Sequence, residues 1–230
     1  MDAARRILIV DADPDARQKI ADSLAARRLS CEGVSTARAA LDEVARQRPD
    51  LIVLDLAVPD VSGLGLCRML REMPGVERVP IVVVTSQASE IERVLAFEAG
   101  ADDFLAKPFY APELAARVSA VLRGFDAAAR GGGGEPASPR IRVDVDRGRA
   151  EVAGERLDLT PTELRILAML VSRAGKVVRR RELIERLFGP DAPQSDRAID
   201  AHVKSIRSKL GAARDLLETV RGVGYRLTES

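Results

Sequence analysis

Leu51-Ile52-Val53-Leu54-Asp55 decides the fold of the first half of this 230-residue chain. Four consecutive apolar residues mark a short strand buried on both faces, the pattern of a parallel sheet. A carboxylate stands at the C-terminal end of that strand. Three further stretches are built the same way: Ile7-Leu8-Ile9-Val10 runs into Asp11, Ile81-Val82-Val83-Val84 into Thr85-Ser86, and Phe104-Leu105-Ala106 into Lys107-Pro108. Ligands bind at the C-terminal edge of open α/β sheets, so two acids, a hydroxyl and an amine are predicted to meet at one rim.

Amphipathic segments separate the strands, at 14–27, 37–46, 63–72, 90–99 and 112–122. A strand followed by a helix, five times over, predicts an α/β fold with right-handed crossovers. The flavodoxin-like order 2-1-3-4-5 sets strands 1 and 3 side by side, and with them Asp11 and Asp55, at the switch point.

Composition bounds the rest. Hydrophobic residues make up 46% and charged residues 31%, a globular balance, and Trp is absent with aromatics at 3%, which argues against base-stacking platforms. No apolar run reaches membrane-spanning length, and MDAARRILIV enters a strand without a signal-peptide pattern, so a cytoplasmic protein without membrane contact is expected. Cys31 and Cys67 lack metal-ligand spacing and read as free buried thiols. Residues 140–230 hold 19 Lys and Arg against 14 Asp and Glu, a net of +5, while the rest hold 17 against 21, a net of −4. Only the second part is therefore expected to meet a polyanion.

The Gly-, Ala- and Pro-rich run 127–139 reads as a flexible linker. The predicted division is 1–125, a linker at 126–139, and a second domain at 140–230. There Ile141-Arg142-Val143 alternates as a strand. Thr160, Pro161 and Glu163 predict a capped helix start, a second helix spans 182–188, and a third 197–210. The stripe Ile199, Val203, Ile206 and Leu210 has helical period. The opposite face is predicted to carry Arg197, Ala201, Lys204, Ser205 and Ser208, with His202 and Arg207 flanking the stripe. A hairpin with Arg221 at its tip follows, so the domain reads as a winged helix-turn-helix.

The runs LDLAVPDVSG, VVVTS and GADDFLAKPF make residues 5–123 resemble a response-regulator receiver domain. LTPTELRIL, DRAIDAHVKSIRSKL and TVRGVGYRL make 140–228 resemble the effector domain of OmpR/PhoB-type regulators. The resemblance implies that Asp55 accepts a phosphoryl group from a sensor histidine kinase, that Thr85 and Lys107 contact that group, and that Thr85 and Phe104 act as switch residues. It implies Mg²⁺ held by Asp11, Asp55 and the backbone carbonyl of Ala57. It also implies homodimerisation through the face of the fourth helix, fifth strand and fifth helix. Arg93, Asp103, Glu113 and Arg117 match the charged positions there, and Val94, Phe97 and Ala115 the apolar ones. Double-stranded DNA with tandem half-sites is the implied target, met by Arg197, Ala201, His202, Lys204, Ser205, Ser208, Thr219 and Arg221, with RNA polymerase a further partner.

The chain departs from the family at Ala12, where a second acid is usual, and at Ser119, where a lysine is usual. Asp13 either caps the first helix or stands in as a metal ligand. Weak Mg²⁺ binding is expected, and a receiver that works without phosphorylation is the rival reading. An aspartyl-phosphate phosphatase would need a second acid beside Asp55, where Leu56 and Ala57 stand; no enzyme activity is expected.

Overall fold

The computed structural model describes residues 4–25, 27, 29–129, 141–145, 147–189 and 196–228. The chain divides into two compact units, Met1–Leu122 and Arg123–Ser230.

The first unit runs β1 (Arg5–Val10), α1 (Pro14–Ala25), β2 (Leu29–Val34), α2 (Ala37–Arg46), β3 (Leu51–Leu54), α3 (Gly63–Glu72), β4 (Ile81–Thr85), α4 (Glu90–Glu98), β5 (Asp103–Ala106) and α5 (Ala111–Ala129), the last of which extends past the Leu122 boundary. Its five strands lie in the order β2-β1-β3-β4-β5, all parallel, as predicted. Ile7 to Val10, Leu51 to Leu54 and Ile81 to Val84 are all buried, each full burial contributing roughly 1.5–3 kcal/mol. β2 lies at the sheet edge and is only half buried, so its sequence, LSCEGV, lacks the apolar run that marks the inner strands. Cys31 sits on it, half exposed, whereas Cys67 is buried and its thiol is pushed up to about 11 by that burial.

The loop after β3 is fixed at both ends. The Asp60 carboxylate accepts the Ala37 and Arg38 N–H groups at 2.8 Å each, capping α2. A Cβ at Gly63 would stand 2.4 Å from Leu56 Cα and 2.6 Å from the Asp55 carbonyl, so only glycine lets α3 begin that close to the strand end. α5 continues to Ala129, into residues read as linker. The Ala-rich run has high helix propensity, which the composition argument overlooked. The remainder of the predicted linker lies outside the described residues.

The second unit runs β6 (Ile141–Asp144), β7 (Arg149–Val152), β8 (Glu155–Leu157), α6 (Pro161–Val171), β9 (Val177–Arg179), α7 (Arg180–Phe188), α8 (Asp196–Leu210), a 3-10 turn at Gly211–Leu216, β10 (Leu217–Val220) and β11 (Gly224–Leu227). The first three strands form an antiparallel meander, and β9 joins the hairpin in the order β10-β11-β9. A Cβ at Gly224 would fall 2.0 Å from the Val178 carbonyl, so glycine lets β9 close on β11. The predicted capping box is present at α6, where the Thr160 side chain receives the Glu163 N–H and Glu163 receives the Thr160 N–H. The other reach of Glu163 is to Lys209 Nζ on α8 at 2.7 Å. This is a winged-helix domain.

Candidate functional site

Four of the five strands of the first unit, β1, β3, β4 and β5, each deliver one group to the rim. Asp11 follows β1, Asp55 follows β3, Thr85 ends β4, and Lys107 follows β5. Lys107 Nζ donates to Asp11 Oδ2 and Asp55 Oδ2, each at 2.6 Å. The other Asp55 oxygen accepts the Ala57 N–H at 3.1 Å, and the other Asp11 oxygen accepts the Asp13 N–H at 3.0 Å. Asp55 is 5% exposed. Burial pulls its pKa upward, but the Lys107 ammonium, the Ala57 N–H and the Thr85 hydroxyl outweigh it, and the carboxyl is held below its ordinary value. Lys107 shows the converse: burial pulls it down, and its hydrogen bonds to Asp11 and Asp55 raise it on balance. Thr85 Oγ1 also accepts the Gln87 N–H at 3.2 Å.

Asp13 is not part of this cluster. It is exposed, and its Oδ1 accepts the Asp15 N–H at 2.9 Å, closing the turn that starts α1. Arg17, which the sequence did not single out, donates to the carbonyls of Asp11 (2.6 Å) and Ala12 (3.1 Å). Among the described residues no group of three His, Cys, Asp or Glu side chains could hold a metal. The two carboxylates and the Ala57 carbonyl are hard oxygen donors of the kind Mg²⁺ takes, but Lys107 already engages both acids. The fit to Mg²⁺ is therefore partial, one negative charge short.

Phe104, buried at the start of β5, has the Arg93 guanidinium 5.5 Å from its ring centroid. The proposed apolar dimer patch is smaller than its sequence suggests. Phe97 is 1% exposed and Ala115 is buried as well, because α4 and α5 turn these positions into the core; only Val94 stays half exposed. The charged positions pair within the chain: Arg117 reaches Asp103 at 3.2 Å and Glu113 at 2.9 Å, and Arg93 lies 4.0 Å from Glu90. Ile91 at the start of α4 and Tyr110 before α5, each 72% exposed, were missed. Scattered apolar residues carry no periodic signal.

In the second unit Arg197, Lys204 and Ser208 are exposed along α8, and Thr219 and Arg221 along the hairpin. Ala201, His202 and Ser205 are buried, His202 completely. This corrects the predicted face. α8 packs on α6, α7 and the following turn, so it buries more than the single stripe that a 3.6 period assumes, and the exposed arc shifts to Arg197, Asp200, Lys204 and Ser208. The sequence also missed a polar cluster beside it. Asp200 Oδ1 accepts from Arg180 Nε at 2.7 Å and from the Tyr225 hydroxyl. Arg207 donates to the Leu217 carbonyl at 2.6 and 2.8 Å and to Thr219 Oγ1 at 2.8 Å. The available signal was an acid set between the bases Arg197 and Lys204.

A parallel five-stranded sheet with an acid–lysine rim, followed by a winged helix, defines a two-component regulator, and comparison with known proteins agrees. Residues 7–119 match the response regulator receiver domain, and residues 154–227 match the C-terminal domain of transcriptional regulatory proteins. The transcriptional regulatory protein BaeR of Escherichia coli O6:H1 is 39% identical over 96% of this chain and 92% of its own length. The response regulator MprA of Mycolicibacterium vanbaalenii is 40% identical over 98% of each. Among solved structures, response regulator DrrB, an OmpR/PhoB homolog of Thermotoga maritima, aligns with a TM-score of 0.51 at 28% identity, over 98% of this chain and 100% of that one. The chain belongs to the OmpR/PhoB family of two-component response regulators, and is a DNA-binding transcriptional regulator of that family. Its relatives are regulators rather than enzymes, and no described helix is long and apolar enough to cross a membrane.

Proposed function

We propose that Asp55 accepts a phosphoryl group from the phosphohistidine of a sensor kinase, and that this controls dimerisation of the chain on tandem DNA half-sites. The observation that supports it best is the Lys107 clamp. Lys107 and Ala57 hold the two Asp55 oxygens, and the carboxyl is kept ionised, as a nucleophile must be. In the transfer an Asp55 oxygen bonds to phosphorus, the P–N bond breaks, and the imidazole leaves and takes a proton. Lys107 offsets charge on the incoming group, and the Thr85 hydroxyl donates to it. A bound Mg²⁺ would supply a second positive charge beside Asp11, Asp55 and the Ala57 carbonyl.

On the DNA side, Arg197, Lys204 and Ser208 face the major groove, and Arg221 at the hairpin tip reaches an adjacent minor groove. The dimer face is the α4–β5–α5 surface, with Arg93, Val94 and the Asp103–Arg117–Glu113 group at its charged and apolar positions.

One observation favours a second reading. Ala12 cannot ligate a cation, and Asp13 is committed to the α1 turn. A receiver without effective phosphorylation would then set dimerisation through protein concentration or a partner. Labelling with acetyl phosphate at saturating Mg²⁺ separates the two. Label on wild type that is absent from Asp55→Asn supports the first reading, and no label on wild type supports the second.

A further inference from the structure

The exposed side of α8 carries two acids, Asp196 in its first turn and Asp200 between Arg197 and Lys204. Asp200 lies one turn from both Arg197 and Lys204, on a surface proposed to meet phosphates. A carboxylate there repels DNA, so its placement calls for a physical reason. The structure supplies one. Asp200 Oδ1 receives Arg180 Nε from the first residue of α7, at 2.7 Å, and the Tyr225 hydroxyl from β11. Arg180 Nη2 donates to that same hydroxyl at 3.3 Å, and its guanidinium lies 4.8 Å from the Tyr225 ring centroid. The Arg207 guanidinium lies 5.8 Å from the same ring and holds the Leu217 carbonyl and Thr219 on β10. Three elements that must act together, α7, α8 and the hairpin, thus meet around one buried tyrosine.

We infer that Asp200 is a positioning and specificity-determining residue of the DNA interface, which ties Arg180 and Tyr225 so that recognition helix and wing keep one fixed spacing. The inference rests on the DNA docking proposed above. Its logic is a trade. Direct readout needs the helix and the wing to reach their grooves in fixed register. Asp200 gives that register while consuming the charge of Arg180, which would otherwise attract any phosphate regardless of sequence. It thereby lowers non-specific affinity as well as sharpening specific affinity, and specificity is the difference between the two. Little fold stability is at stake, since water screens the partly exposed Arg180–Asp200 ion pair.

The test uses full-length wild type, Asp200→Asn, Tyr225→Phe and Arg197→Ala. Binding is measured by anisotropy over a salt series, on a duplex selected in vitro with wild type and on a scrambled duplex. With Asp200→Asn, Arg180 becomes available to a phosphate, so the scrambled duplex is bound several-fold more tightly and the log–log salt slope steepens by about 0.9. The ratio of selected to scrambled affinity falls about tenfold, on the order of one mismatched base pair. Tyr225→Phe removes no charge, so its ratio falls while its slope is unchanged; it carries the test if Asp200→Asn melts. Unchanged ratios in both variants, with wild type binding normally, overturn the inference alone. Wild type that binds neither duplex, or Arg197→Ala with an unaltered slope, overturns the docking and the inference with it.

Discussion

In the receiver unit the functional groups stand at the ends of strands and converge; in the winged-helix unit they stand along a helix and a hairpin and diverge. Asp11 and Asp55 are each within hydrogen-bond reach of Lys107, in a setting where both carboxylates are nearly buried. Charges so placed interact strongly, because little water screens them. Arg197, Lys204 and Arg221 each face solvent, where a single charge is screened and acts through phosphate contacts that are individually small. One substitution at the rim should therefore abolish a property, whereas one substitution on the α8 face should only tune one.

The largest effect is expected where a residue assigned to a surface lies in the core. Phe97→Asp would bury a carboxylate among apolar side chains and lose the packing of a fully buried ring, at a cost of roughly 3–5 kcal/mol or more. The receiver should unfold, measured as loss of its cooperative melt. Val94→Asp, three residues away and half exposed, should leave the melt nearly intact and weaken any dimer. Equal melts for the two variants would break the distinction between core and face drawn for α4.

At the rim itself, Ala12→Asp restores one negative charge where Asp11 and Asp55 already stand. Mg²⁺ affinity by titration should rise roughly tenfold or more, as a unit charge a few ångströms away implies, and acetyl-phosphate labelling should accelerate with it. Wild type that binds Mg²⁺ as tightly as the variant would mean that Asp13 leaves its turn to compensate.

On the helix, Arg197→Ala and Lys204→Ala should each reduce the salt slope of DNA binding by about 0.9. Arg221→Ala should instead weaken preference for narrow A·T-rich minor grooves. Ser205→Leu, at a buried position, should leave the slope alone and destabilise the fold by roughly 1–3 kcal/mol through overpacking. A changed slope with an unchanged melt for Ser205→Leu would return that residue to the DNA face.

The smallest effect is a pH dependence. Burial, then the hydrogen bond to Asp200, pushes the Tyr225 phenol up to about 12 from an ordinary 10.0. The folded state therefore holds that proton more tightly than the unfolded chain. Its contribution to stability is complete below pH 10 and is lost as pH rises from 10 toward 12. Denaturant titrations across that window should show a shallower decline for Tyr225→Phe than for wild type.

The two units also differ in how far their sequences could be read. Strand ends are legible because a strand buried on both faces leaves its apolar run at one defined residue, so Asp11, Asp55, Thr85 and Lys107 could be placed together, and the strand order with them. The side of a helix is less legible. Period 3.6 gives angles around an axis, but not how many neighbours surround it. Ala201 and Ser205 on α8 were assigned to the exposed face for that reason, whereas His202 on α8, and Phe97 and Ala115 on α4 and α5, were assigned to surfaces by the family resemblance, which carries no burial of its own. The Arg180–Asp200–Tyr225 cluster joins residues 20 and 25 positions apart in the chain, a separation at which no local pattern links them. Edge strand β2, with Ser30, Glu32 and Gly33 breaking its apolar run, and strand β9, only three residues long, gave too little apolar signal to be named.

If Asp55 governs assembly, sedimentation of the full-length chain will register it as a change of mass. Wild type and Asp55→Asn would be run at saturating Mg²⁺ with and without beryllofluoride, which stands in for the phosphoryl group. The mass of wild type is expected to double with beryllofluoride and that of Asp55→Asn to stay monomeric. Wild type of the same mass in both conditions would contradict it.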